Sequence, residues 1–298
     1  MEATPSPDGK PAPGGLAGLV THRLDSAREE ALSGPNERFL ELQRHVLNFA
    51  ADHYFRVEFD AWHRVPDETC LVVGVHSGGA LTMDAWMLVH AWWRRFGVER
   101  FLHATAHDVL MAAPVLGDYF RMNGVVPASR RGVTAALAGG KDVVVWPGGE
   151  EDSMRSWLKR DRATLAGRKG FVRQALRSQV PILPVATIGG HDTVFVLSEG
   201  RWLADAADKL LGVKKRLRGV TLPITLGLPF GIAPELLPTH IPLPAKIRTE
   251  FLEPIRVDGD PERADDRAYV AGVYREVETA IQDGMDRLAQ RRSFPILG

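Results

Sequence analysis

Cysteine is nearly absent from this 298-residue chain, in which Cys70 is the only one. That excludes an intramolecular disulfide framework and a cysteine-based metal cluster, and it suits a reducing compartment. A surplus of charge is missing too, because Lys+Arg and Asp+Glu are both 37. No overall positive field points to nucleic acid, so any basic surface has to be a local patch. Long hydrophobic runs are lacking: no stretch of about 18 apolar residues is free of charge, and no membrane-spanning helix is expected. The first residues, Met1 to Gly15, hold Pro5, Pro7, Pro11 and Pro13 instead of the basic and apolar regions of a secretory signal. What is present is the balance of a soluble globular protein, 45% apolar and 25% charged. Intrinsic disorder, collagen and coiled coil are thereby excluded for the chain as a whole.

Residues 1–34 are rich in Pro, Gly, Ala and Ser without hydrophobic period and read as a flexible tail, leaving 35–298 as a single domain. From Glu37, the residues Phe39, Leu40, Leu42, Val46, Leu47, Phe49 and Ala50 fall near helical spacing, with Asn36 as N-cap. This amphipathic helix either packs on the domain or lies on a membrane surface. Beyond it, short β-branched runs alternate with helical patterns. Leu71 to Val75, Phe101 to Thr105, Asp142 to Trp146 and Pro181 to Thr187 read as strands, while Asp84 to Phe96 and Gly170 to Arg177 read as helices. A long charged helix over Asp265 to Arg291 ends the chain. The expected fold class is α/β, a largely parallel central sheet flanked by helices. Its polar and glycine-rich segments fall at strand ends, where open α/β sheets place their sites.

Four segments carry chemistry. In the first, His76 directly follows a buried strand, Ser77, Gly78 and Gly79 form a tight turn, and Asp84 starts a helix. A histidine held by a carboxylate is what general-base catalysis needs, although a structural histidine fits the spacing equally well. Ser77 does not fit a nucleophile elbow, which requires Gly-x-Ser-x-Gly. In the second, the strand ending at Trp146 runs into Pro147, Gly148 and Gly149, a turn suited to holding an anion or oxyanion, followed by Glu150 and Glu151. The third places Arg130 and Arg131 just before a helix, as a phosphate clamp or as a solvated pair. The fourth, Val180 to His191, is a strand that leaves through two glycines. His103 and His107 stand four apart, but no third ligand follows at fitting spacing, and no metal is expected. Trp86, Trp92 and Trp93 read as core.

Taken together, His76…Asp84, Gly124 to Arg130, Trp146-Pro-Gly-Gly149 and Val180-Pro-Ile-Leu-Pro-Val185 resemble the four ordered blocks of the glycerolipid (lysophospholipid) acyltransferase superfamily. The resemblance spans about residues 55 to 256. Two departures, Leu81 where the common His-x4-Asp spacing puts Asp and Gly148 where the third block has Glu, match a branch with a His-Ser-Gly-Gly loop near the diacylglycerol acyltransferases. The resemblance implies an O-acyltransferase without metal, cofactor or acyl-enzyme, with acyl-CoA or an acyl carrier protein as donor and a lysophospholipid or related glycerolipid as acceptor. His76, oriented by Asp84, would deprotonate the acceptor hydroxyl, backbone amides near Gly149 would stabilise the oxyanion, and Arg130 would hold a phosphate. Ser77, Gly78, Gly79, Pro147, Gly148, Gly149 and Glu150 would line the substrate. The alternatives are an α/β serine hydrolase using Ser77 and a lipid-binding module of the same fold without activity.

The stretch from Trp202 to Val220 adds a membrane expectation. Trp202, Leu203, Ala206, Leu210, Val213 and Leu217 recur at helical spacing, and Lys209, Lys214, Lys215, Arg216 and Arg218 cluster beside them. A basic segment with an apolar face fits peripheral binding to anionic lipid on the cytoplasmic face of the cell membrane, and a solvated helix end fits the same residues.

Overall fold

The computed structural model describes residues 34–200, 202, 223–235, 240–294 and 296. The expected tail up to residue 33, and the basic residues Lys214, Lys215, Arg216 and Arg218, lie outside the described residues.

Helix α1 (Glu37–Phe49) starts where expected, with the Asn36 side chain accepting the Phe39 N–H at 3.1 Å. Leu40 anchors it against Trp93 and Phe101. Leu42, Val46 and Phe49 stay exposed along the same helix. The chain then alternates through β1 (Glu58–Asp60), β2 (Leu71–Val73), α2 (Met83–Phe96), β3 (Leu102–Ala106), α3 (Asp108–Ala112), α4 (Leu116–Met122) and β4 (Val126–Pro127). It continues with α5 (Arg130–Ala138), β5 (Asp142–Val145), α6 (Glu150–Ser153), α7 (Gly170–Ser178) and β6 (Ile182–Ile188). Strands β7 (Phe195–Ser198), β8 (Ile224–Gly227), β9 (Gly231–Pro234) and β10 (Arg248–Phe251) precede the long helix α8 (Arg267–Gln290).

Seven strands form one sheet in the order β1-β10-β6-β2-β5-β3-β4. From β6 to β4 every pairing is parallel. The largely parallel α/β sheet is therefore present, and only β10 runs antiparallel to its neighbour β6. Burial on both faces explains the continuous apolar runs of the central strands. Leu71, Val73 and Val143 face a core closed by α5, α7 and α8, while Val72, Val144 and Leu183 face Trp92, Trp146 and Phe251 on the other side. Helix α8 lies close to β6 because Gly284 has no side chain: a Cβ there would sit 2.6 Å from that of Ala186. Trp92 and Trp93 are buried as expected, with Trp86 partly buried beside Met87.

A separate three-stranded antiparallel sheet, β7-β8-β9, follows β6 and was not expected from the sequence. It rises from the carboxyl end of β6, the same edge at which β2 and β5 end.

Candidate active site

Strand β2 stops at Val73, two residues earlier than its apolar run, and the chain turns over the sheet edge through His76. Gly78 has φ +88°, and a Cβ there would lie 2.9 Å from the Gly190 carbonyl, so a side chain at that position meets both backbone strain and a clash. The turn delivers the chain to α2, whose first turn holds the buried Asp84. Thr82 occupies the N-cap without a side-chain bond, so Asp84 acts inside the helix start and not as its cap.

Asp84 Oδ2 accepts the Ser77 N–H at 3.1 Å and lies 3.9 Å from His76 Nδ1. The second separation is ion-pair range and too long for a hydrogen bond. His76 Nδ1, Ser77 Oγ and Asp84 Oδ1 are buried without a hydrogen-bond partner. The His76 ring lies against Trp146, and its Nε2 is left as the nitrogen toward solvent. The structure thus brings His76 and Asp84 together as the spacing predicts.

The neighbouring strand β5 ends in the glycine turn. Gly148 is pinned there, because a Cβ would sit 2.1 Å from the Thr164 carbonyl. Arg168 donates to the carbonyls of Pro147 and Gly148 at 3.0 and 3.1 Å, holding the turn from outside. The Gly149 N–H is already used, donating to the Trp146 carbonyl at 3.1 Å. Among the backbone amides near Gly149, its own is therefore engaged within the turn. Glu150 opens α6 and is exposed, whereas Ser77 is buried against Gly190. A direct substrate contact by the Ser77 hydroxyl therefore lacks access, and no histidine bonds that hydroxyl.

Two residues that sequence reasoning did not single out stand directly behind His76. Asp152 Oδ2 accepts the His76 N–H. Arg155 pairs with Asp152 and donates to the His76 carbonyl at 3.2 Å. Both side chains are buried. Burial is the larger influence on Asp152 and raises its pKa, opposed by the Arg155 guanidinium and the His76 N–H. The only signal available in the sequence was an Asp and an Arg three apart after a glycine turn. His191 is also fully enclosed here, and burial pushes its pKa well below the ordinary range. Asp192 is engaged elsewhere, accepting from Trp157 Nε1 at 2.8 Å and from Arg292 at 3.1 Å.

Arg130 is not part of this cluster. It is the first residue of α5, behind the N-cap Ser129, and its side chain is exposed. Its strand β4 is the sheet's last, three strand spacings of about 4.8 Å each from β2. His103 and His107 do not share a helical face: His103 sits on β3 with Nδ1 2.8 Å from the Gly124 carbonyl, and His107 caps α3.

The parallel α/β sheet, with a His–Asp turn after its central strand and a glycine turn after the neighbouring one, is the arrangement expected from the resemblance to glycerolipid acyltransferases. Residues 33–274 match the pattern of the diacylglycerol acyltransferase family, and the chain belongs to that family. Over 296 residues it is 30% identical to an uncharacterized protein of Mycobacterium tuberculosis, covering 98% of this chain and 78% of that protein. It is 26% identical over 184 residues to diacylglycerol O-acyltransferase 2 of Homo sapiens, across 56% of this chain and 47% of the human protein. This chain therefore matches about half the length of that relative. The fold is similar to the crystal structure of PlsC, the 1-acyl-sn-glycerophosphate acyltransferase of Thermotoga maritima, with a TM-score of 0.51 at 18% identity, over 93% of this chain and 90% of that one. Among the described residues, no helix is long and apolar enough to cross a membrane.

Proposed function

We propose that this chain moves a fatty acyl group from an acyl thioester, carried by CoA or an acyl carrier protein, to a hydroxyl of a lysophospholipid or related glycerolipid. The observation that carries the reading is the His76–Asp84 pair, 3.9 Å apart, at the carboxyl edge of the sheet. His76 Nε2 takes the acceptor proton while the hydroxyl oxygen attacks the thioester carbonyl. The tetrahedral intermediate then expels the thiolate, which recovers the proton from the imidazolium. Asp84 favours the imidazolium that forms in between, as a carboxylate partner does in general-base catalysis. The pair is looser than a hydrogen bond, and catalytic contacts in ligand-free sites commonly tighten only when substrate is bound. Relatives named diacylglycerol O-acyltransferase extend the acceptor class to a glycerolipid without phosphate. In that case Arg130, at the far end of the same edge, serves a phosphate of the donor.

The protein works peripherally on the cytoplasmic face of the membrane in this reading, with the positive charge of Lys214, Lys215, Arg216 and Arg218 contributing affinity for anionic lipid. The test is purified protein with acyl-CoA and a panel of lysolipids and diacylglycerol, followed by mass spectrometry of the products. Acylated glycerolipid formed by wild type and lowered about 10²–10⁴-fold in His76→Ala is the expected result. Turnover above about a tenth of wild type in that variant removes His76 as the base.

A further inference from the structure

The small sheet buries a mixed inner face, with Val196 opposite Thr225, and turns apolar side chains to solvent on its outer face. Thr225 and His240 are buried, with Thr225 Oγ1 3.0 Å from His240 Nδ1, and Glu235 is buried beside them. On the outer face Leu226 and Ile232 form a cross-strand pair, and at the hairpin tip Leu228 and Phe230 stand 64% and 67% exposed. An antiparallel sheet with one solvated face ordinarily puts polar residues on that face. Here the solvated face is apolar, with Leu226, Leu228, Phe230 and Ile232 exposed, and an exposed apolar surface of this kind marks a docking site.

Its position decides what docks. The small sheet is seated on the catalytic turn: a Cβ at Gly79 would lie 3.5 Å from Val194 and 3.7 Å from Glu235 Oε1. On the other side of β2, beyond β5, the chain leaving the carboxyl end of β3 exposes Val109, Leu110 and Val115 on α3 and the turn after it. Val115 holds φ +65°, a conformation that β-branched residues rarely adopt, with its side chain 79% exposed. Exposed apolar side chains thus occur both on the small sheet and on the chain that leaves β3 at its carboxyl end. Between Trp202 and β8 the sequence carries Lys209, Lys214, Lys215, Arg216 and Arg218, in a chain whose net charge is zero. Exposed apolar side chains in a strand pair that follows a basic run in the sequence have the chemistry that complements a bilayer containing anionic lipid.

We propose that the outer face of hairpin β8–β9, centred on Leu228, Phe230 and Ile232, inserts into the surface of an anionic bilayer and seats the carboxyl edge of the large sheet, with His76, against the lipid. The inference rests on the proposed acyl transfer to a glycerolipid, because it explains how a chain without a described spanning helix reaches such an acceptor.

Cys70 is buried, so a cysteine introduced elsewhere can be labelled selectively. Phe230→Cys carrying an environment-sensitive dye is compared with Arg256→Cys, which lies at the opposite, amino edge beside Glu68. With vesicles of phosphatidylcholine and phosphatidylglycerol, the dye at 230 should shift to the blue and be quenched by brominated lipid, while the dye at 256 does neither. The triple variant Leu228→Ser, Phe230→Ser, Ile232→Ser should partition at least tenfold less onto the same vesicles, with an unchanged far-ultraviolet circular dichroism spectrum. An unshifted dye at 230 on vesicle-bound protein, or no vesicle binding by wild type, overturns the proposal. Concentration-dependent self-association without lipid, lost in the triple variant and unaccompanied by vesicle binding, also overturns it and assigns the face to a second copy of the chain. His76→Ala should bind vesicles like wild type. Wild-type protein that docks through residue 230 yet forms no acylated product leaves the docking face standing and removes the acyl-transfer reading alone.

Discussion

The imidazole of His76 lies flat on the indole of Trp146, with ring centroids 4.4 Å apart and planes 10° from parallel. The two rings meet because β2 and β5 are paired in register, Val73 opposite Val145, so both chains cross the sheet edge side by side. Trp146 is itself fixed by packing with Leu183 and Val185 in the second core. A rigid indole therefore sets the plane in which the histidine works, leaving Asp84 to act on Nδ1 from the edge of the ring.

Trp146→Phe keeps an aromatic face beneath His76 and should hold kcat within about threefold of wild type, since an aromatic pair is worth only about 0.5–1.5 kcal/mol beyond its buried area. Trp146→Ala frees the ring and should lower kcat by at least about tenfold, with a smaller change in KM. It should also cost about 3–5 kcal/mol of stability, as an aromatic truncated in a core does. Steady-state kinetics below the variant's melting transition, alongside urea unfolding, separates the two effects. Equal kcat in both variants would show that stacking does not orient the base.

Asp84→Asn is nearly isosteric and keeps an oxygen to accept the Ser77 N–H, the 3.1 Å bond that ties the turn to α2. The fold should survive, with a melting temperature within a few degrees of wild type. The charge that favours the imidazolium is lost, and kcat should fall by about two to four orders of magnitude. Turnover equal to wild type would make Asp84 a structural residue of the turn.

How much of this arrangement the sequence disclosed depends on locality. Strands β2, β5 and β6 were legible because burial on both faces demands unbroken apolar runs such as Val143 to Val145. His76 and Asp84 were legible because one turn carries both. The sheet β7-β8-β9 was not, because apolar residues occupy both of its faces, with Val196 inside and Leu197 and Leu226 outside, and no polar–apolar alternation marks it. Asp152 and Arg155 were hidden in a charged run that looks like solvated surface, and only the crossing of two chains at the sheet edge buries them under His76. Strand order was likewise invisible, so the lateral separation of Arg130 from His76 appeared only with the fold.

The buried pair makes a stability prediction of its own. Arg155→Met leaves the Asp152 carboxyl enclosed without its cation, and breaking a buried ion pair from one side costs about 3–5 kcal/mol. The double variant Asp152→Asn, Arg155→Met removes both charges and should recover a substantial part of that loss. Chemical denaturation of both singles and the double measures the coupling directly. Additive losses would mean that the pair contributes no more than its separate parts.

Acid sensitivity should come from enclosed histidines, His103 and His90 on the scaffold together with His191 at the site. Burial pushes His103 from an ordinary 6.5 down to about 4, with the nearby Lys141 charge adding to this and the bond to the Gly124 carbonyl opposing it. Burial likewise lowers His90 to about 4, assisted by the Arg94 guanidinium. In the folded chain both rings therefore stay neutral through a range where the unfolded chain takes up protons. Unfolding then binds protons between about pH 6.5 and pH 4, so stability is complete above that window and falls as the pH drops through it. For His103, a shift of this size corresponds to about 3 kcal/mol across the window, because each unit is about 1.4 kcal/mol. His103→Gln does not titrate and retains a donor for the Gly124 carbonyl, 2.8 Å from Nδ1 in the native chain. It should lose less stability than wild type between pH 7 and pH 4.5, whatever its stability at pH 7. Urea unfolding at a series of pH values reads the two slopes, and parallel curves would show that His103 is protonated as readily in the folded state as in the unfolded one.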